Sequence, residues 1–278
     1  MTQNDLFEGI ELLSRVEPLQ GAAPYLGGKR NLAQRLVTLI QATPHKLYAE
    51  PFVGMGGIFF KRTARPKVEV INDYSRDVAN FFRILQRHLK PFLEEMEWMV
   101  YSRSEFERLK SVDPSGLTDL ERAARFYFLQ RSSFGGCVGN RSFGVDRDGG
   151  GRFNIYSFKE SLNDLHKRLS KVIIENLSYS DFITKYNCPG TLFYLDPPYW
   201  GNENDYGKNL FSRTDFEQLA EQLQSVEGHF ILSLNDCEGV RETFKMFDMT
   251  SVETVYTVSA QGSQTVKEVI ITGGKNLV

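Results

Sequence analysis

Cysteine is scarce. Cys137, Cys188 and Cys237 are the three in 278 residues, and they lie far apart. An odd, scattered set fits a reducing compartment and no disulfide framework, so a cytoplasmic protein is expected. Histidine is as sparse, and no spacing among His45, His88, His166, His229 and the cysteines resembles a zinc site, so no metal is expected. No run approaches the ~20 apolar residues that span a bilayer. Met1 to Glu17 lacks the basic-then-apolar pattern of a secretory signal, so no membrane partner is expected. An excess of one charge is missing too: 33 Lys and Arg face 35 Asp and Glu. With 41% hydrophobic and 24% charged residues the chain has the composition of a globular protein, not a disordered one. Its length suits one large domain or two modest ones.

Short apolar runs bounded by turn signals predict buried strands at Lys46–Ala49, Val68–Ile71, Val172–Ile174, Thr191–Leu195, His229–Leu234 and Val269–Thr272. Helical periodicity predicts helices over Asn31–Gln41, Val78–Leu89, Ser104–Lys110, Leu120–Gln130, Ser161–Leu169 and Thr214–Gln224. Alternation of the two implies an α/β fold with a mostly parallel sheet. Val252–Val258 and Lys267–Thr272, joined through Gln261-Gly262-Ser263, read as an antiparallel end hairpin.

The alternation lapses between about residues 85 and 170. Within it, Glu121 to Ser170 holds nine Lys and Arg against five Asp and Glu, in a chain whose net charge is −2. Aromatics crowd between Phe126 and Phe158, punctuated by Gly135, Gly136, Gly139, Gly144, Gly149, Gly150 and Gly151. This predicts an inserted module, 85–170, between two parts of a main domain, 1–84 and 171–278.

Three motifs carry chemistry. Asp196-Pro197-Pro198-Tyr199 follows the strand Thr191–Leu195 directly. That places a carboxylate at the carboxyl edge of the sheet, where ligands bind in open α/β folds. Two prolines stiffen the corner and leave carbonyls exposed. Carboxylate, carbonyl and aromatic face together suit a planar group bearing an exocyclic amine. The bland alternative is a rigid strand exit with an incidental acid. The second motif is Glu50-Pro51-Phe52-Val53-Gly54-Met55-Gly56-Gly57, with Asp73 ending the next strand. Glycines there allow close approach of a ligand, and the acid suits a ribose hydroxyl pair. NAD and S-adenosylmethionine both carry that ribose, so this pair alone leaves a dehydrogenase and a methyltransferase open. The third is Pro24-Tyr25-Leu26-Gly27-Gly28-Lys29-Arg30 before the first helix, which lacks the full phosphate-loop pattern.

In this order the motifs resemble the D12 class of DNA N6-adenine methyltransferases, which includes the Dam methylases. Ser180-Asp181-Phe182, Ile231 to Asp236, and Glu268-Val269-Ile270-Ile271 add weaker matches. The resemblance covers about Pro24 to Thr272. It implies a Rossmann-like methyltransferase sheet with an inserted, mainly helical DNA-recognition domain, S-adenosylmethionine as cofactor, DNA as partner, a monomer or weak dimer, and a bacterial or phage-encoded source. It also implies roles. Tyr25, Lys29, Glu50, Phe52, Gly54, Gly56, Asp73, Asp181, Phe182 and Asp196 would line the cofactor site, with Lys29 near the cofactor carboxylate. Asp196, the Pro197 carbonyl and Tyr199 would be catalytic, receiving a flipped-out adenine. An ordinary carboxylate pKa near 4 would suit Asp196 as a hydrogen-bond acceptor rather than a base.

In the inserted module Arg122, Arg125, Arg131, Arg141, Arg147 and Arg152 are candidates for phosphate or guanine contacts, the alternative being a solvated charged face. Arg131, Phe134, Arg141, Arg152 and Asn154 form the expected DNA-binding set, with Phe134 a possible wedge or core residue. Arg152-Phe153-Asn154-Ile155 partly resembles the Dam recognition hairpin, but Tyr156 replaces its proline. Pro24 stands where GATC-specific relatives carry a base-contacting lysine, so strict GATC specificity is not expected. The competing expectations are a methyltransferase for N4-cytosine, RNA adenine or protein glutamine, and a non-catalytic DNA-binding protein. Asp196 favours adenine over the Ser and Asn that the cytosine and glutamine enzymes place there. A C5-cytosine enzyme needs a Pro-Cys nucleophile, and Cys188-Pro189 is the reverse order.

Overall fold

The protein was analysed as a computed structural model, which describes residues 13–25, 29, 31–134, 141–145, 151–201, 211–258 and 262–275, with backbone alone for 254–258 and 262–266. Gly27, Gly28, Gly135, Gly136, Gly139, Arg147, Gly149, Gly150 and Gln261 lie outside the described residues.

A short antiparallel pair, β1 (Ser14–Arg15) and β3 (Ala64–Arg65), sits apart from a seven-stranded sheet. The large sheet is built from β2 (Leu47–Glu50), β4 (Val68–Asn72), β5 (Ile173–Glu175), β6 (Thr191–Leu195), β7 (His229–Asn235), β8 (Asp248–Val258) and β9 (Gly262–Gly274). Its order is β5-β4-β2-β6-β7-β9-β8. The first five run parallel, and β9 enters antiparallel between β7 and β8. The parallel centre explains the continuous apolar runs: β6 is buried at all five residues, as a strand covered on both faces must be.

Helices cover both faces. On one side α1 (Ala33–Ala42) buries Ala33, Leu36, Val37 and Ile40, the i, i+3, i+4, i+7 stripe. On the other, α8 (Arg213–Gln224) buries Phe216, Leu219, Ala220 and Leu223, close to α7 (Tyr179–Tyr186) and the six-residue α9 (Glu238–Thr243). Among the described residues, five α-helices stand between β4 and β5: α2 (Arg76–Arg87), α3 (Leu89–Glu97), α4 (Arg103–Ser111), α5 (Asp119–Ser132) and α6 (Ile155–Leu169). Helix α5 is their hub, buried at every residue from Arg122 to Gln130 and started by a Thr118–Glu121 capping box. Phe81 of α2 stacks on its Tyr127 at 5.3 Å. A buried ion cluster fastens this layer to the sheet. Arg168 of α6 reaches both carboxylate oxygens of Glu69 at 2.6 Å, and Arg62 joins the same carboxylate. Burial alone would raise the Glu69 pKa, but the two guanidiniums hold it below the usual range.

Three differences from the sequence reading have simple causes. Helix α3 was not expected because Pro91 interrupts the pattern, yet proline is tolerated in a first turn. Helix α6 starts at Ile155 rather than Ser161, because the Asn154 side chain accepts from the Tyr156 N–H and caps it there. Strand β8 starts at Asp248, four residues before the apolar run, because its polar residues pair with β9 all the same.

Candidate active site

Strands β2 and β6 lie side by side, and from them the chain order proceeds outward in opposite directions. Their carboxyl ends frame the crevice where an open α/β sheet binds its ligand. Glu50 ends β2, and Asp196 follows the last residue of β6.

Beside β2 the chain turns at Gly54 and Gly56, with φ of 49° and 74°. Both values favour glycine, and space requires it as well. A Cβ on Gly54 would stand 2.9 Å from the Tyr25 ring, and one on Gly56 would overlap Phe60. The turn is tied to the end of β4: the Gly54 N–H donates to Asp73 Oδ2 at 3.0 Å, and the Ser75 N–H donates to Oδ1 at 2.9 Å. Burial raises the Asp73 carboxyl to about 6, and these two amides oppose the rise. Tyr25, Gly54 and Asp73 are thus brought together. Asn72 secures the same rim: its amide donates to the Pro51 and Leu177 carbonyls, and its oxygen accepts from the Leu177 N–H.

A second group surrounds Asp196. The buried Lys29 ammonium lies 3.0 Å from Asp196 Oδ1 and 3.1 Å from Glu268 Oε2, and it donates to the Tyr199 hydroxyl at 2.5 Å. The Ser233 hydroxyl adds a 3.3 Å bond to Asp196 Oδ1 and lies 3.0 Å from the Tyr194 hydroxyl. Burial lifts the Asp196 carboxyl to about 6, with Lys29 pulling it back down. It is therefore a better proton acceptor than an ordinary carboxylate with a pKa near 4. Lys29, expected near a cofactor carboxylate, lies beside two protein carboxylates. Glu50 is fully buried, accepts a 2.7 Å bond from Tyr48, and is lifted to about 8 by burial, with Asp196 adding to the rise. The loop after Tyr199 is gripped at its backbone: Trp200 N–H donates to Asn235 Oδ1 at 2.9 Å, and Asn235 Nδ2 donates to Trp200 O at 3.0 Å.

Phe52 stands in an aromatic group with Tyr179 at 5.8 Å and Phe211 at 5.9 Å. Helix α7 begins beside it. There Asp181 is exposed and exchanges hydrogen bonds with the capping Ser178, whereas Phe182 is fully buried against Tyr186.

The expected DNA-binding residues divide. Phe134 is exposed, and the Arg152 guanidinium lies 5.3 Å from its ring. Arg131 packs 3.7 Å over Phe158, and Arg141 donates to Gln130 at 3.3 Å. Gln130 in turn donates to the Pro24 carbonyl at 2.8 Å, joining α5 to the loop that carries Tyr25 and Lys29. Asn154 caps α6. Arg122 pairs with Asp77, and Arg125 donates to the Leu109 carbonyl, so both are engaged inside the helical layer.

Sequence reasoning assigned no role to Glu268, Ser233, Asn235 or Asn72. Glu268, Ser233 and Asn235 had a signal in the weaker motif matches, and Glu268 a second as an acid opening an apolar strand. Among the described residues no group of His, Cys, Asp or Glu could hold a metal, and no helix is long and apolar enough to cross a membrane.

Residues 25–258 match the D12 class N6 adenine-specific DNA methyltransferase family. The chain is 23% identical over 232 residues to the type II methyltransferase M.CviBI of Paramecium bursaria Chlorella virus NC1A, covering 83% of this chain and 88% of that protein. It is 24% identical over 266 residues to the retron Ec67 DNA adenine methylase of Escherichia coli, covering 90% of each. It is 27% identical over 199 residues to the DNA N-6-adenine-methyltransferase of Escherichia phage P1, covering 69% of this chain and 26% of that longer protein. The chain therefore belongs to the D12 class of N6 adenine-specific DNA methyltransferases, enzymes that move a methyl group from S-adenosylmethionine to the N6 amine of adenine in DNA.

Proposed function

We propose that the target adenine is flipped out of the duplex and received between Asp196 and Tyr199. The observation that carries this is the Asp196 carboxylate at the carboxyl end of β6, partly exposed to the crevice and held in place by Lys29 and Ser233. N6 is a poor nucleophile because its lone pair is conjugated into the ring. Acceptance of its two hydrogens by Asp196 and the Pro197 carbonyl draws that lone pair out of conjugation. Tyr199 stacks on the extruded base. Such stacking contributes ~1–3 kcal/mol and offsets much of the few kcal/mol spent on flipping. The raised Asp196 carboxyl also suits it to hold the proton released once N6 is methylated.

The residues present fit S-adenosylmethionine: the tight Gly54 turn sits at the sheet's carboxyl edge, Asp73 presents a carboxylate fixed by two backbone amides, and Phe52 offers an aromatic wall. The cofactor supplies an electrophilic methyl group on a sulfonium. Asp73 takes the ribose hydroxyls, while Tyr25, Gly54, Gly56 and Phe52 bound the methionine end. Asp196 lends the crevice negative charge beside that cation, Glu50 borders it as a buried, mainly protonated acid, and Asp181 with Phe182 frames the adenine end.

Residues 1–84 and 171–278 make up the catalytic domain, and 85–170 the recognition domain. There the exposed Phe134 and its partner Arg152 meet DNA directly. Arg131, Arg141 and Asn154 shape the surface behind them. The target is not strictly GATC, because Pro24 has no side-chain donor. Tritiated cofactor, DNA of mixed sequence and nucleoside analysis test the proposal. Label in N6-methyladenine is expected, and label confined to cytosine or protein refutes it.

A further inference from the structure

Glu268 is the one carboxylate of the site that the reaction as described does not use. It lies in β9 opposite Asn235 and is fully buried. An isolated carboxylate at such a place is strongly disfavoured, so its partner matters. That partner is Lys29, at 3.1 Å. An ammonium has three protons to donate, and Lys29 has three acceptors around it: Asp196, Glu268 and the Tyr199 hydroxyl. One cation is thus shared between a carboxylate that faces the crevice and one that does not.

The sharing has a chemical consequence. Methyl transfer builds positive charge on N6, and Asp196 is the anion that faces it. A lysine bound to Asp196 alone would occupy one of its acceptor sites and set a full positive charge beside the developing one. Glu268 draws part of that charge to the far side. We infer that Glu268 is a positioning residue for methyl transfer, acting through Lys29 to keep the Asp196 carboxylate available to the target amine. The inference rests on the proposed role of Asp196. Ser233, Glu50 and Tyr194 also lie around Asp196, and the contacts above bond none of them to the Lys29 ammonium. A carboxylate that served only to neutralise a buried lysine would have the same contacts, so the test must separate the two.

Glu268→Gln keeps the side chain's shape and removes its charge. We would measure kcat and the KM for S-adenosylmethionine in wild type, Glu268→Gln, Lys29→Met and the double variant, with melting temperatures for all four. Glu268→Gln is expected to lower kcat roughly 10- to 100-fold, the range of a charged buried hydrogen bond, while KM for the cofactor stays within about threefold. In the Lys29→Met background the same change is expected to cost less than about threefold in kcat, because the group through which Glu268 acts is gone. Glu268→Asp, which restores the charge, should recover part of the loss. Should Glu268→Gln fail to fold, the double variant removes both charges together and should stay within about threefold of Lys29→Met. Equal losses in the two backgrounds, a Glu268→Gln kcat within about threefold of wild type, or a double variant more than about threefold slower than Lys29→Met would overturn the inference. Incorporation into adenine by the wild type, measured in the same series, tests the reading beneath it, and the ratios among variants test this one.

Discussion

Replacing Asp196 by Asn should separate catalysis from stability in this fold. The change keeps the shape of the side chain and one acceptor oxygen but removes the charge. Rate should fall steeply. Loss of a preorganised electrostatic contact to a developing charge costs roughly 100- to 1000-fold, and the amide also turns N–H groups toward the amine that it should accept from. The fold should survive, because Lys29 retains Glu268 at 3.1 Å and the Tyr199 hydroxyl at 2.5 Å. The pH dependence provides a second sign. Burial raises the Asp196 carboxyl to about 6 from its usual 3.8. A raised acid contributes stability that is present below its unfolded pKa and lost as pH rises through its folded pKa. Wild type therefore forfeits stability between about pH 4 and 6 that Asp196→Asn does not. Melting curves at pH 4 and pH 7 should show the variant gaining on wild type at the higher pH. The rate should show the opposite preference, with a wild-type acidic limb near pH 6 that the variant lacks. Activity within tenfold of wild type at pH 7.5 would refute the catalytic assignment, and a melting difference independent of pH would refute the electrostatic one.

Asp73→Ala should weaken S-adenosylmethionine binding by roughly tenfold or more, the worth of a charged hydrogen bond. Calorimetric titration would show it, and an unchanged affinity would remove Asp73 from the ribose site. Asn235→Ala removes both bonds to the Trp200 backbone and should lower kcat about tenfold through a loosened Tyr199 loop, with cofactor affinity unchanged; single-turnover kinetics would check it. Sequencing-based mapping of methylated adenines on mixed DNA should find sites outside GATC. A missing base contact forfeits ~1–3 kcal/mol of discrimination, and methylation confined to GATC would show that Pro24 is no obstacle.

The sheet was legible because strands buried on both faces read as unbroken apolar runs. Thr191–Leu195 has the same bounds in the sequence reading and in the structure. What escaped was short, polar or interrupted: the six residues of α9, the polar first turn of β8, and α3 behind Pro91. The site divides the same way. Gly54, Asp73 and Asp196 each stand at the end of a strand within a local motif, so their neighbourhood follows from the strand order. Glu268 meets Lys29 across 239 positions of chain, and Asn235 meets Trp200 across 35. Only the assembled sheet brings those pairs together.

The recognition region was the least legible part, for a reason that the arginines make plain. Composition alone presents Arg122, Arg125, Arg131 and Arg141 as equal candidates for phosphate. In the structure Arg122 meets Asp77, Arg125 meets the Leu109 carbonyl, Arg131 lies on Phe158, and Arg141 meets Gln130. A signal for this was present. Arg122 and Arg125 flank Ala123 and Ala124 and precede Phe126 to Leu129, all buried. An arginine on a helix that is apolar on every side must bring its charge to an internal partner, since burying it unpaired costs far more than losing one phosphate contact. Phe134 and Arg152 lie beyond that helix, and Phe134 is exposed. Position relative to the buried helix therefore separates arginines engaged inside the helical layer from Arg152, the one proposed to meet DNA. The Gln130 bond to the Pro24 carbonyl then links the helical module directly to the segment bearing Lys29, so a change in the proposed recognition surface has a short covalent and hydrogen-bonded route to Asp196, the proposed catalytic carboxylate.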